Sequence, residues 1–152
     1  MVAVLFSTGQ HRKGTEAVIQ HTVAVSPKAD RERMIQGLEF DENGLLVGWK
    51  LNKCKISTLP GSFRALVCTG RLNLCYNHLK SLPANFGELE VGGHLYLQYN
   101  LLKSLPEGFE NISVGGDLEL HNNQLAQQSC IFPNVRGDVC FQEPVYDPVY
   151  DY

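Results

Sequence analysis

The sequence lacks the long apolar runs and the excess of one charge that mark proteins bound to membranes or nucleic acids. No segment approaches the roughly 20 apolar residues that a membrane-spanning helix needs. The net charge is only −3 over 152 residues, which gives no general attraction to nucleic acid or to an anionic membrane surface. The first 13 residues have no basic residue before a short apolar run, so they do not resemble a secretory signal. We expect a cytoplasmic, intracellular protein without a membrane or nucleic acid partner.

The chain also lacks the motifs of common catalytic sites. Neither the phosphate-binding pattern G-x-x-x-x-G-K-S/T nor the hydrolase pattern G-x-S-x-G occurs. The five cysteines include no C-x-x-C pair, and their odd number does not suit a disulfide framework. Buried thiols in a reducing compartment are the simpler interpretation. We therefore expect no enzyme activity.

What the sequence does contain is an internal 23-residue period. One unit is residues 72–94 and the next is residues 95–117, and units that begin at Trp49 and Leu118 share the pattern. Apolar residues alternate at the start of each unit, which predicts short strands. The columns that carry the pattern are Leu51, Leu74, Leu97, Leu120; then Cys54, Asn77, Asn100, Asn123; then Phe63, Phe86, Phe109, Phe132. Stacking such units buries a core that one unit cannot bury alone.

The pattern L-x-L-x-x-N/C-x-L followed by S-L-P-x-x-F resembles the leucine-rich repeat family. The resemblance covers residues 49 to about 141, and the V-G-G before each strand is similar to repeats in large DNA virus and microbial proteins. It implies an α/β repeat fold, the leucine-rich-repeat solenoid. This fold would have a short parallel β-sheet on the concave face and an irregular or 3-10 convex side. The asparagine column is expected to turn the chain after each strand and to hydrogen-bond buried backbone groups.

The region before the units does not repeat, and we predict that residues 1–48 are an N-terminal cap. Residues 7–15 are predicted to be a loop, and the alternation over residues 17–25 predicts a strand. A short helix is predicted after Ser26, with Pro27 at its first position. The alternative is that this region is a separate functional module.

The units and the last residues form the other two predicted parts. Residues 49–141 hold four units and a fifth partial strand near Val139. Residues 142–152 are an acidic Tyr/Pro tail that carries three acids and no base. The tail either covers the end of the sheet or acts as a short motif recognised through tyrosine, proline or phosphorylation.

Side chains that alternate with the buried leucines are expected to line the concave face. Successive units place them in rows. Lys50, Lys53 and Arg71 lie at one end of the face, and Asp117 and Glu119 lie at the other. Tyrosines lie between these charges, and tyrosine and arginine are favoured anchors of protein interfaces. The predicted partner-binding residues are Lys50, Arg71, Asn73, Tyr76, His94, Tyr96, Gln98, Tyr99, Asp117, Glu119 and His121.

These residues favour a non-enzymatic module that binds another protein through the concave sheet. One alternative is that they are ordinary solvated residues of a scaffold whose contacts lie elsewhere. Another is that the protein is a structural component of a larger assembly, such as a virion or scaffold. An adaptor binds a few partners reversibly, whereas a structural component is found in a fixed and abundant ratio.

A metal site is a further hypothesis, raised by Cys75, His78, His94 and His121. Cys75 and His121 would lie two strands apart, so their backbones would be about 10 Å from each other. Zinc holds its ligands at roughly 2.0–2.3 Å, usually four of them. We therefore expect no bound metal and no cofactor.

Overall fold

The computed structural model describes residues 10–26, 30–126 and 130–142, with side chains described from Thr15 onwards. Within these ranges the chain forms two α-helices, nine short strands and three 3-10 helices. The helices and strands are α1 Gln10–Val25, α2 Arg31–Gln36, β1 Leu38–Phe40, β2 Leu46–Lys50, β3 Val67–Cys68, β4 Arg71–Asn73, β5 Glu90–Val91, β6 Leu95–Tyr96, β7 Ser113–Val114, β8 Leu118–Glu119 and β9 Val139–Cys140. The 3-10 helices are Gly61–Ala65, Phe86–Glu88 and Phe109–Asn111.

Six of the strands form a mixed sheet in the order β1-β2-β4-β6-β8-β9. The parallel pairs from β2 to β8 keep the 23-residue step, with Trp49 opposite Leu72, Leu72 opposite Leu95, and Leu95 opposite Leu118. The last pair, β8 with β9, has a shorter step than the others, because Val139 on β9 lies opposite Leu118. The period of the sequence therefore appears as the register of strand pairing.

The first strand of this sheet runs the other way. β1 pairs antiparallel with β2, and the two are joined by a tight turn. In that turn the Asp41 carboxylate accepts hydrogen bonds from the backbone N–H groups of Asn43 and Leu45, at 2.9 and 2.8 Å. Gly44 supplies the positive φ of 72° that the turn requires. The antiparallel strand ends the sheet beside the helices.

A second, three-stranded parallel sheet is formed by β3, β5 and β7. Its register also keeps the 23-residue step, with Val67 opposite Glu90 and Val91 opposite Val114. Buried side chains from both sheets, the helices and the 3-10 helices join in one apolar cluster. Within it lies a row of buried rings whose neighbouring centroids are 6.0–6.2 Å apart, formed by Trp49, Phe63, Phe86, Phe109 and Phe132.

The predicted fold class is wrong. The chain is a small α/β fold with a mixed six-stranded sheet, a three-stranded parallel sheet and two helices in its described residues, and not a leucine-rich-repeat solenoid. One finding that overturns the prediction is the antiparallel β1, which the sequence placed in a separate cap. Another is the second sheet, because the segments before each V-G-G pair with one another where the sequence predicted irregular chain.

The N-terminal region contains a helix where the sequence predicted a loop and a strand. From Gln10 onwards both predictions are wrong, since α1 runs without interruption to Val25. The apolar residues alone suggested alternation, but two threonines complete a helical face with spacings of three and four residues. The buried side chains on this face are Thr15, Val18, Ile19, Thr22 and Val23. The Thr22 hydroxyl donates to the carbonyl of Val18 at 2.7 Å, so its burial leaves no unmet hydrogen bond.

The second helix is shorter than predicted. It begins at Arg31, after Asp30, and spans six residues, whereas the predicted start at Pro27 lies outside the described residues. Its buried Met34 side chain packs into the core, and the Met34 carbonyl accepts a 2.9 Å hydrogen bond from the Trp49 indole. The predicted tail lies outside the described residues from position 143 onwards. None of the helices in the described ranges combines the length and apolar character needed to cross a lipid bilayer.

Candidate partner-binding surface

The candidate site lies on one side of the six-stranded sheet, formed by the residues that alternate with its buried leucines. We call this side the sheet face. Strand register brings the predicted residues into rows, with Gly48 opposite Arg71, Asn73 opposite Tyr96, and Tyr96 opposite Glu119. The structure thus gathers residues from separate strands into one surface.

Two tyrosines stack on each other at the ends of neighbouring strands. The rings of Tyr76 and Tyr99 have centroids 4.3 Å apart and planes only 6° apart. On one side the Lys53 ammonium lies 5.5 Å from the centre of the Tyr76 ring, a cation–π contact. His121, one strand further along, meets Tyr99 nearly at right angles at 5.5 Å. We call Lys53, Tyr76, Tyr99 and His121 the tyrosine array.

The backbone under this array is strained. Left-handed φ values from 52° to 58° occur at four positions that are one repeat step apart, namely Lys53, Tyr76, Tyr99 and Asn122. Bulky residues rarely adopt this conformation, which costs roughly 1–2 kcal/mol per residue. Asparagine adopts it more readily, and glycine does so freely. Two tyrosines in a position that suits asparagine or glycine indicate that their side chains have a use of their own.

A second aromatic contact lies beside the array. The Arg71 guanidinium is 5.9 Å from the centre of the Tyr96 ring, and the His94 ring stacks on Tyr96 at 5.8 Å. The nearby Lys50 ammonium binds the Glu39 carboxylate of β1 at 2.6 Å, but both side chains are largely exposed. Solvent therefore weakens that ion pair. The β2 and β4 part of the face carries positive charge next to aromatic rings.

The β8 and β9 part of the face is acidic. Asp117 uses its Oδ1 to accept a 2.8 Å hydrogen bond from the backbone N–H of Asp138, so two carboxylates lie at this end. Glu119 and His121 form a buried pair, with Oε2 and Nδ1 3.0 Å apart. The charge gradient predicted from the sequence is therefore present across the strands.

The contact between His94 and Asp117 is a hydrogen bond to the backbone and not an ion pair. His94 Nδ1 accepts from the Asp117 backbone N–H at 2.9 Å, whereas the Asp117 carboxylate is 3.4 Å from the same nitrogen. A nitrogen that accepts a hydrogen bond carries no proton of its own. His94 therefore binds the backbone of the next strand through this hydrogen bond.

Four of the predicted contact residues are buried, and for them the expectation of exposure is wrong. Gln98 and His121 are 0% and 1% exposed, and Asn73 and Glu119 are buried as well. Alternation predicted that they face solvent, but a place on the outer side of the sheet does not leave these side chains accessible. Neither atom of the Gln98 amide has a hydrogen-bond partner in the described residues.

The remaining predicted residues are accessible in different degrees. Lys50, Arg71 and Tyr76 are exposed, and the others are half-buried. The half-buried group consists of His94, Tyr96, Tyr99 and Asp117.

Cys75 lies in the same row as Gln98 but is not a reactive thiol. Burial raises its pKa to about 11, in spite of a hydrogen bond with Asn73 and the charge of Lys53, which act in the opposite direction. The thiolate is the nucleophilic form, so this side chain is protonated and inert near neutral pH. Among the described residues, no three His, Cys, Asp or Glu side chains come together as metal ligands.

Two residues of the face were not among the predicted contacts. The repeat step places Lys53 in the same row as Tyr76, at the basic end of the face, and the structure adds its contact with the Tyr76 ring. Asp138 lies beside Asp117 because β9 follows β8 at a shorter step than the repeat has. A search at a fixed step does not find such a residue.

Comparison with protein-family models, with curated proteins and with solved structures gives no match to this chain. The family resemblance of the sequence pattern therefore stays a prediction.

Proposed function

We propose that the protein is a non-enzymatic interaction module that binds another protein through the sheet face. The observation that carries the proposal is the tyrosine array, in which Tyr76 and Tyr99 stack in a backbone conformation that tyrosine disfavours. Strain of this kind persists where a side chain is needed in one place. A column that served only to turn the chain would hold asparagine or glycine.

The composition of the exposed face supports the same proposal. Tyrosine and arginine are enriched at protein interfaces and are frequent among the residues that contribute most binding energy. Tyrosine buries a large area with little loss of side-chain entropy. Here Tyr76, Tyr96 and Tyr99 lie within one patch with Arg71. Stacking and cation–π contacts hold the rings in place before a partner binds, which lowers the entropy cost of association.

We also propose an intracellular location. Cys54, Cys68 and Cys75 are buried thiols, and burial raises the pKa of each. Cysteines kept in this state are typical of reducing compartments.

A pull-down with a two-site variant tests the proposed function. The variant Tyr76→Asn/Tyr99→Asn removes both rings but keeps a residue type that already occupies the left-handed position at Asn122. The bound protein is identified from cells that make this chain, purified, and titrated calorimetrically against wild type and variant. Because central tyrosines are strong anchors, we expect the variant to lose at least about tenfold in affinity.

The matched control is Ile131→Asn. Ile131 is 82% exposed and lies outside the sheet face. Like the test variant, this control replaces a large exposed side chain with asparagine. Affinity should be unchanged in the control. Equal affinity of wild type and the two-tyrosine variant would rule out the sheet face as the binding surface.

A further inference from the structure

Charge is divided along this chain more sharply than its net charge suggests. Residues 43–87 contain six lysines and arginines and no acid, whereas residues 88–142 contain seven acids and only two bases. From β2 to β9 the strand order preserves this division, because β2 and β4 come from the first segment and β6, β8 and β9 from the second. β1 lies beyond β2 and carries Glu39, which pairs with Lys50 and leaves Lys53 and Arg71 as the basic side chains. The fold therefore converts a division in sequence into a gradient across one sheet.

On the sheet face the two ends of the gradient lie several strands apart. Lys53 and Arg71 mark the basic end beside the tyrosine rings, and Asp117 and Asp138 mark the acidic end. Four strand spacings of about 4.8 Å separate β2 from β9, which places the ends of the gradient roughly 19 Å from each other. An extended peptide rises about 3.3 Å per residue, so about six residues cross this distance.

The arrangement of the tyrosine rings argues against a nucleic acid partner. Proteins that hold single strands present open ring faces on which bases stack. Here Tyr76 is stacked on Tyr99, with Lys53 over its ring, and His121 packs against Tyr99 on the next strand. Neighbouring side chains of the same chain therefore already pack against these rings. The carboxylates at the other end would also repel a phosphate backbone.

We infer that the partner presents an extended peptide segment that is acidic at one end and basic at the other, and that lies across the strands of the sheet face. This inference rests on the proposed function and specifies its partner. Carboxylates of the segment bind near Lys53 and Arg71, and its basic end lies over Asp117 and Asp138. Complementary charge fixes both the position and the direction of the segment.

Two octapeptides of identical composition test the inference without any change to the protein. The block peptide EEEGGKKK separates its charges by about the required distance, and EKEGGKEK alternates them. Both are labelled with a fluorophore, and binding is followed by fluorescence anisotropy at low salt, where surface charges are least screened. We expect the block peptide to bind about fivefold more tightly, since several exposed ion pairs each contribute a small factor.

A matched pair of arginine variants locates the basic end. Arg71→Gln should reduce the preference for the block peptide, and Lys53→Gln/Arg71→Gln should abolish it. Arg64→Gln removes the same charge from a 3-10 helix, where Arg64 binds Glu88 at 2.8 Å. This control should keep the full preference.

Three outcomes would overturn the inference: equal binding of the two peptides, equal loss in Arg71→Gln and Arg64→Gln, or tighter binding of octathymidylate than of the block peptide. The last result would point to nucleic acid. Peptides that bind equally, together with a protein partner lost on removal of Tyr76 and Tyr99, would leave the proposed function intact and remove only the charge-separated segment.

Discussion

The asparagine column and the tyrosine array follow the same repeat step but differ in backbone conformation and in the contacts that their side chains make. Asn100 is buried, and its amide nitrogen donates to the carbonyls of Leu74 and Leu97, both at 3.0 Å. Its oxygen accepts from the N–H of Leu79 at 3.1 Å. Equivalent bonds recur at Asn77 and Asn123. The amides of this column therefore hydrogen-bond buried backbone groups, as predicted.

The positions at and beside the tyrosine array differ from this column in backbone conformation and in residue type. The left-handed positions one repeat step apart are Lys53, Tyr76 and Tyr99 of the array and Asn122 beside it. Next to them Gln98 is buried with an amide that has no partner in the described part of the chain. The satisfied amides of Asn77, Asn100 and Asn123 indicate a structural role, whereas the strained positions of varying residue type support the proposed contacts with a partner.

The largest expected effect is that of Asn100→Ala. The change leaves the buried N–H of Leu79 without a partner. The carbonyls of Leu74 and Leu97 lose one donor each but still accept from Asn77 and Asn123, so the free energy of unfolding should fall by about 1–3 kcal/mol. Urea denaturation followed by circular dichroism measures this. The control Asn52→Ala alters a half-buried asparagine that lies outside the asparagine column. This change should lower the free energy of unfolding far less. Similar losses in both variants would mean that the asparagine bonds are not what distinguishes the column.

A smaller effect of opposite sign is expected from Gln98→Met. Methionine has nearly the shape of glutamine but no amide. The change therefore removes the free-energy cost of burying polar atoms that have no hydrogen bond. We expect a gain of about 1–2 kcal/mol in the free energy of unfolding. The same urea titration measures it. A loss of stability would show that the Gln98 amide is satisfied in solution, and the contrast between the two regions would then be weaker.

The sequence was a good guide wherever the fixed repeat step alone determined the structure. It placed Leu72 opposite Leu95 and put Asn100 at a buried turn, because both follow from the repeated pattern. The predicted fold class was wrong because β1 and the second sheet depend on pairing between segments that carry no strong pattern. The two-residue strand Glu90–Val91 is too short for alternation to be visible.

The candidate surface was predictable in its rows but not in its exposure. Alternation put Gln98 and His121 on the outer side of the sheet, yet both are buried. Exposure depends on the size and rotamers of neighbouring rings, which no period specifies. The stack of Tyr76 on Tyr99 likewise needs a left-handed backbone at both residues, and the tyrosines themselves give no local signal for it.

The smallest expected effect on stability belongs to Tyr76→Asn/Tyr99→Asn, the variant that should affect binding most. The lost ring stack contributes about 0.5–1.5 kcal/mol, and the relief of left-handed strain at two residues offsets much of it. The free energy of unfolding should therefore change by less than about 1 kcal/mol, measured beside Tyr76→Phe/Tyr99→Phe, which keeps the rings. A loss of several kcal/mol in the asparagine variant alone would make the array part of the core. It would also remove the reason to treat the strained tyrosines as a surface kept for a partner.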